Sequence, residues 1–289
     1  MSNDYRQYHN KRRRLKRRHR IRRLLKRICA LAFLLCICLG LIRTARDLSA
    51  LHDRRDAVST ESLLAFKKHD HERITYFGEE TDSHIMQDLQ ELADKNEEAR
   101  DFVEDYPNRA NYLGMDPDLS DELDRVINSN EVPLLMQWDK RWGYEEYGDS
   151  IMGLSGCGPT CLSMVYLHFT QNPEGHPGEM GIFCEEKGYY TEAGTSWQLW
   201  TDGVAQLGLS GRELALDEKV MRKALNDGSL IVCSMRPGDF TTTGHYILIH
   251  SWNEQGFLIN DPNRKSNSEK IWSYDTLKGQ IKNLWEISL

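Results

Sequence analysis

The chain has 289 residues, 39% of them apolar, enough for one substantial core with appendages or for two small ones. Its net charge of -7 hides a split: residues 1–27 carry thirteen Lys or Arg against one acid, Asp4, and the remainder holds 24 basic and 43 acidic residues. So large an acidic excess argues against nucleic-acid binding by the body of the protein.

In chain order, the basic run KRRRLKRRHRIRRLLKR is followed by ICALAFLLCICLGLI at 28–42, which has no charge. Fifteen helical residues reach about 22 Å, short of a hydrocarbon core of roughly 30 Å. Adding Leu24 and Leu25, with Lys26 and Arg27 snorkelling to the headgroups, predicts a transmembrane helix over 24–42. The competing reading is a signal peptide cleaved after Gly40, a weak site; nuclear targeting accounts for the arginines but not for the apolar run. Positive charge stays on the cytoplasmic side, so residues 1–27 form a basic cytoplasmic tail and the chain from 43 onward lies outside the cell membrane.

Residues 43–80 read as a linker or stalk, with RITYF at 73–77 the one strand-like run. From Asp82, apolar Ile85, Leu89, Leu92, Ala99 and Val103 recur at helical spacing until Tyr106-Pro107. A shorter helix is predicted near Pro117, capped by Asp116, with Leu119, Leu123, Val126 and Ile127 on one face. Both expose acidic faces and are expected to pack on a neighbouring domain. That domain, 131–289, holds all seven tryptophans and most of the glycines. LIVCSM at 230–235, HYILIHSW at 245–252 and GFLINDP at 256–262 read as strands, the last two as a hairpin through 253–255. Helices are predicted after Cys157, around 197–208, and over 216–228 with Gly228 as a C-terminal cap. Helices first and strands later give an α+β class. There is no internal repeat and no phosphate-binding GxxxxGK[ST] loop.

The chemistry centres on SGCGPTCLSMVY at 155–166. Cys157 stands where a helix should begin, with Pro159 in its first turn. There the positive end of the dipole and free N–H groups favour the thiolate nucleophile. Cys161, one turn inside, lacks those donors and should lie in the core. Of ten histidines, four fall in the domain: His168, His176, His245 and His250. His245 opens an apolar strand beside a loop, a common place for a catalytic base, whereas His250, five residues on, faces the other side. Asp261 ends the partner strand and is placed to orient the His245 imidazole, with Asn260 on the opposite face. The amide of Gln137 together with the Cys157 N–H can serve as oxyanion donors. A Cys/His zinc site is improbable, because neither CxxC nor HxxxH spacing occurs. In an oxidising exterior, disulfides from Cys161 to Cys184 or Cys233 are open, while one to Cys157 would disable it.

The set VPLLMQWDKRWGYEEYG, SGCGPTCLSMV, GTSW at 194–197, PGDFTTTGHYILI at 237–249 and NDPN at 260–263 resembles the C39-like cysteine peptidases, free-standing relatives of the bacteriocin-processing peptidases. The resemblance covers 132–285. It implies a papain-like cysteine peptidase fold, with Cys157 as nucleophile, His245 as general base, Asp261 as orienting acid and Gln137 as oxyanion donor. It implies a peptide or protein substrate and no cofactor. Two departures stand beside it: the ATP-driven exporter of transporter-linked members has no counterpart here, and Gln137 lies twenty residues before Cys157. Trp138, Trp142, Tyr144, Tyr147 and Trp197 are candidates to line a peptide cleft, against the alternative that they are core. The rival readings are a cell-wall amidase or endopeptidase, and a membrane-anchored binding domain of this fold without activity.

Overall fold

The computed structural model describes residues 79–289, with side chains from residue 83. The basic tail, the expected span over 24–42, the stalk up to residue 78 and RITYF lie outside the described residues. Among the described residues no helix is long and apolar enough to cross a membrane.

Helix α1 (Glu79–Lys95) buries Ile85 and Leu89, as their spacing predicts. The single helix expected from Asp82 to residue 105 breaks at Asn96, whose backbone is extended (φ −137°, ψ 97°). The Asn96 carboxamide accepts from Glu98 N–H and donates to the Asn263 carbonyl at 2.6 Å, so a tertiary partner overrides helix propensity. A 3-10 turn then leads into α2 (Arg100–Glu104) and a further 3-10 stretch, Tyr106–Asn111. Ile85, Leu89, Phe102 and Tyr106 pack on Tyr144 and Ile151, and the Phe102 and Tyr144 rings stack at 4.4 Å. The next helix, α3 (Ser120–Ser129), starts later than the sequence suggests, with Asp118 rather than Asp116 accepting from the Ser120 N–H. Ile127, expected on its apolar face, is 57% exposed, because it lies about 100° around the helix from buried Val126.

A small hairpin, β1 (Glu146–Tyr147) and β2 (Ser150–Ile151), leads through the short α4 (Met152–Ser155) into α5 (Cys157–Thr170). Every residue of α5 from Gly158 to Thr170 is buried. The helix is apolar all round because it lies between α6 (Pro177–Glu186) and the sheet. A second small hairpin, β3 (Tyr190–Thr191) and β4 (Gly194–Thr195), precedes a 3-10 turn at Trp197–Trp200 and α7 (Asp202–Gln206).

The rest is mostly sheet: β5 (Ser210–Glu213), α8 (Glu218–Asn226), β6 (Leu230–Met235), β7 (His245–Asn253), β8 (Gly256–Asn260), α9 (Lys265–Ser268), β9 (Ile271–Trp272), α10 (Tyr274–Lys278) and β10 (Ile281–Ser288). The six strands are antiparallel in the order β5-β10-β6-β7-β8-β9. Leu230, Val232, Tyr246 and Leu248 face the core shared with α5 and α6. Ile231, Cys233, Ile247 and Ile249 face a second core with Met221 and Leu277. Burial on both faces explains why β6 and β7 read as continuous apolar runs rather than as alternation.

Asp217 caps α8 by accepting from Lys219 and Val220 N–H, and Gly228 takes φ +86° just past its end. The last strand, β10, went unpredicted yet sits between β5 and β6. Lys282, Asn283 and Glu286 interrupt its apolar pattern, and Glu286 is buried only because it accepts from Ser229 Oγ and pairs with Arg212. The architecture is α+β and compatible with a papain-like fold.

Candidate active site

Cys157 is the first residue of α5 and is half-buried, whereas Cys161 one turn on is fully buried. The first N–H groups of a helix have no intrahelical acceptor, which favours negative charge at its start. Its neighbour Gly158 has a packing reason: a Cβ there would lie 2.3 Å from Thr195 Oγ1, so β4 could not close over the start of α5. Thr195 is itself held by Tyr147 Oη at 2.9 Å and by the Tyr246 hydroxyl donating to its carbonyl.

His245 opens β7 opposite Met235 of β6, and Asp261 follows directly on β8, the strand paired to β7. The sheet therefore brings the two together: His245 Nε2 lies 2.8 Å from Asp261 Oδ1. The Cys157 side chain lies close enough to the imidazole to act on its ionisation. With Nε2 on Asp261, Nδ1 is the ring atom left to face the thiol. Asp261 is fully buried and takes three further donors: Asn267 Nδ2 at 2.7 Å, Asn263 N–H at 2.9 Å and Arg264 N–H at 3.3 Å. Burial by itself would lower the imidazole pKa. The Asp261 charge and hydrogen bond, with the nearby Cys157 side chain, outweigh it and raise it well above the ordinary range. For Asp261 burial acts upward, and the charge and hydrogen bond of His245, with the Asn267 and Asn263 donors, hold it below the usual carboxylate range.

The other domain histidines serve different ends. His250 sits at a register shift in β7, beside Ser251 Oγ at 3.0 Å, and burial together with the nearby His168 lowers its pKa to about 4. His176 caps α6 by accepting from Glu179 N–H, and His168 Nδ1 lies 3.1 Å from the Glu131 carbonyl. Asn260, on the face opposite to Asp261, donates to the Val132 and Pro133 carbonyls. Cys161, Cys184 and Cys233 are buried free thiols, so the bridges considered among them are not formed, and burial raises all three.

Gln137 is brought to the site by its backbone N–H, which donates to the Pro262 carbonyl at 2.8 Å. Its side chain points elsewhere than the expected role requires. Nε2 donates to the Gly153 and Leu154 carbonyls at 2.9 and 3.2 Å, and Oε1 is buried without a partner. In this geometry the amide braces α4, immediately before Cys157.

Of the aromatic residues expected to line a cleft, Trp142 is 1% exposed and belongs to the main core, with Tyr144 and Tyr147 also buried. The indole of Trp142 is held inside by donation to the Met136 carbonyl, so the cleft assignment is wrong for it. Trp138 is half-buried, donates to the Asn263 carbonyl, and lines a cavity of about 280 Å³ with Phe102 and Met136. Trp197 is 42% exposed, edge-on to Trp285 and under Lys282 Nζ. Sequence reasoning missed Asn267, Ser268 and Thr195. The dense polar run NRKSNS after Asp261-Pro262 was the available signal for Asn267, since a buried carboxylate needs donors nearby, while Ser268 Oγ accepts from the Asp261 backbone N–H at 2.8 Å.

A family model described as Peptidase_C39 like family matches residues 129–288, slightly more than half of the chain. No curated protein matches it.

Proposed function

The chain belongs to the Peptidase_C39-like family, and from that premise and the geometry of the site we propose a membrane-anchored cysteine peptidase that works through Cys157, His245 and Asp261. The observation that carries the reading is the buried His245 Nε2–Asp261 Oδ1 contact at 2.8 Å, with the Cys157 side chain at the helix start close enough to act on the imidazole. The Cys157 thiolate attacks a peptide carbonyl carbon, and the resulting oxyanion is met by N–H groups of the first turn of α5. The His245 imidazolium donates its proton to the departing amine, leaving a thioester on Sγ. Water then attacks the thioester while the imidazole takes its proton, and release of the carboxylic acid restores the thiolate beside the imidazolium. Asp261 holds the ring orientation and stabilises its cationic form. Gln137 enters as an oxyanion donor only by withdrawing Nε2 from two carbonyls, so its resting role is to brace α4. Of the three tryptophans, Trp138 and Trp197 remain as contacts for substrate.

The anchor rests on the sequence alone: a basic tail of residues 1–27, the span over 24–42, and an orientation that puts the peptidase domain, 131–289, outside the cell membrane. The experiment treats the membrane-embedded full chain with iodoacetamide near neutral pH, locates the adduct by mass, and follows hydrolysis of a peptide library. Selective alkylation of Cys157, lost in His245→Ala, and hydrolysis abolished in Cys157→Ala are expected. Hydrolysis that survives Cys157→Ala would overturn the mechanism. A C-terminal reporter active only in the cytoplasm would overturn the orientation.

A further inference from the structure

Asp261 stands where regular structure ends. After β8 the chain turns through Pro262 to Ser266, and no ladder of sheet hydrogen bonds fixes that turn. Its inner side is tied to the carboxylate, because Asn263 and Arg264 N–H both donate to Asp261 Oδ1. Its outer side is tied to a segment that precedes the family match by some thirty residues. The Asn263 carbonyl accepts from Asn96 Nδ2 at 2.6 Å, and Arg264 Nη2 donates to the Lys95 carbonyl at 2.6 Å. The Glu98 carboxylate takes the two next backbone donors, Lys265 N–H at 2.6 Å and Ser266 N–H at 3.1 Å. Four consecutive residues, 263 to 266, are thus gripped from outside by Lys95, Asn96 and Glu98 of the upstream segment. Charge-assisted bonds such as those of Glu98 are the stronger kind. Asn96 leaves helical geometry to take part, which an exposed spacer helix would have no reason to do.

We propose that Asn96 and Glu98 are positioning residues for the peptidase, clamping the 262–266 turn so that Asp261 presents Oδ1 to His245. The helices upstream of the family domain are, on this reading, an outer layer of the active site rather than a stalk. The inference rests on the peptidase reading for its kinetic consequence, while its geometric consequence can be measured without catalysis. Displacing a catalytic group by about 1 Å through a change outside the site can cost up to a hundredfold in rate.

The test uses the full chain with Asn96→Ala, Glu98→Ala and Glu98→Gln, and Glu97→Ala as an adjacent control whose carboxylate meets only Arg100, at 3.5 Å. Asn96→Ala and Glu98→Ala should lower kcat roughly tenfold to a hundredfold with KM within about twofold. They should also move the His245 titration, followed by NMR of labelled histidine, to lower pH. Glu98→Gln keeps one acceptor and should recover part of both effects, and Glu97→Ala should match the unaltered protein. Wild-type kcat and an unmoved His245 titration in folded Asn96→Ala and Glu98→Ala would overturn the clamp. Should Glu98→Ala fail to fold, the intermediate titration expected of Glu98→Gln decides, and its absence counts against the clamp. If the unaltered chain cleaves no peptide, the peptidase reading falls, and the His245 titration alone still upholds or overturns the clamp.

Discussion

Replacing Asp261 separates its charge from its hydrogen bonds. Asp261→Ala leaves four donors without an acceptor: His245 Nε2, Asn267 Nδ2 and the N–H groups of Asn263 and Arg264. At about 1 kcal/mol or more for each unsatisfied group, the loss is roughly 4 kcal/mol, in line with about 3–5 for removing one member of a buried pair. That is a large share of the roughly 5–15 kcal/mol holding a typical domain together. Asp261→Asn keeps Oδ1 for three of the donors and sets its new amide nitrogen against Asn267 Nδ2. One donor facing another costs about 1–3 kcal/mol, an upper bound because Asn267 can turn its own amide. The Asn variant should therefore fold but lack the charge that lifts His245, so its imidazole should titrate at lower pH than in the unaltered protein.

The pH dependence follows. In the unaltered protein the raised imidazole contributes stability that is fully present below its unfolded value of about 6.5 and lost as pH climbs through the raised folded value. The lowered Asp261 contributes stability that is present above the ordinary carboxylate value and lost as pH falls through its folded one. Asp261→Asn abolishes the carboxylate's contribution and shrinks that of the imidazole, so its stability should change less with pH at both ends. Urea unfolding of both proteins at about pH 5, 7 and 9, with NMR titration of His245, measures this. Parallel stability curves in the two proteins, or an unmoved His245 titration, would refute the coupling between Asp261 and the imidazole.

Gln137→Ala should lower stability by about 1–2 kcal/mol through loss of the bonds to Gly153 and Leu154, and lower kcat less than tenfold. A fall in kcat of about a hundredfold to a thousandfold at unchanged stability would instead put its amide on the oxyanion. Trp142→Ala should destabilise by about 3–5 kcal/mol in thermal or chemical unfolding, as expected of a core indole. Trp197→Ala should leave stability within about 1 kcal/mol and raise KM if the ring meets substrate, a split that steady-state kinetics reads directly. Gly158→Ala drives a Cβ into Thr195, so a stability loss of about 1–3 kcal/mol and slower alkylation of Cys157 are expected.

The local features of the site were readable where one short stretch carried the whole physical cause. SGCGPTC announces a helix start and separates Cys157 from Cys161, and a fully buried α5 bears out the core position of the second cysteine. LIVCSM, HYILIHSW and GFLIN are apolar enough to read as buried strands, and the hairpin through 253–255 is present. Reading failed where a distant partner decides. Asn96 breaks a helix that its own propensity would continue, because Asn263 waits across the fold. The strand β10 carries Glu286, acceptable inside only because Ser229 and Arg212 meet it there. The orientation of an amide, as at Gln137, leaves no periodic trace in a sequence.

By itself, then, the sequence determined the α+β class, the helix-start thiol and the chain order Cys, His, Asp, since propensity, capping and apolar periodicity are local properties of the chain. Only the tertiary structure gave the contact itself, with His245 Nε2 2.8 Å from Asp261 Oδ1. It also turned Gln137 toward α4, sank Trp142 in the core, and gripped the Asp261 turn with residues far upstream. Each depends on packing between elements, and apart from Trp142 on hydrogen bonds between segments well separated in sequence.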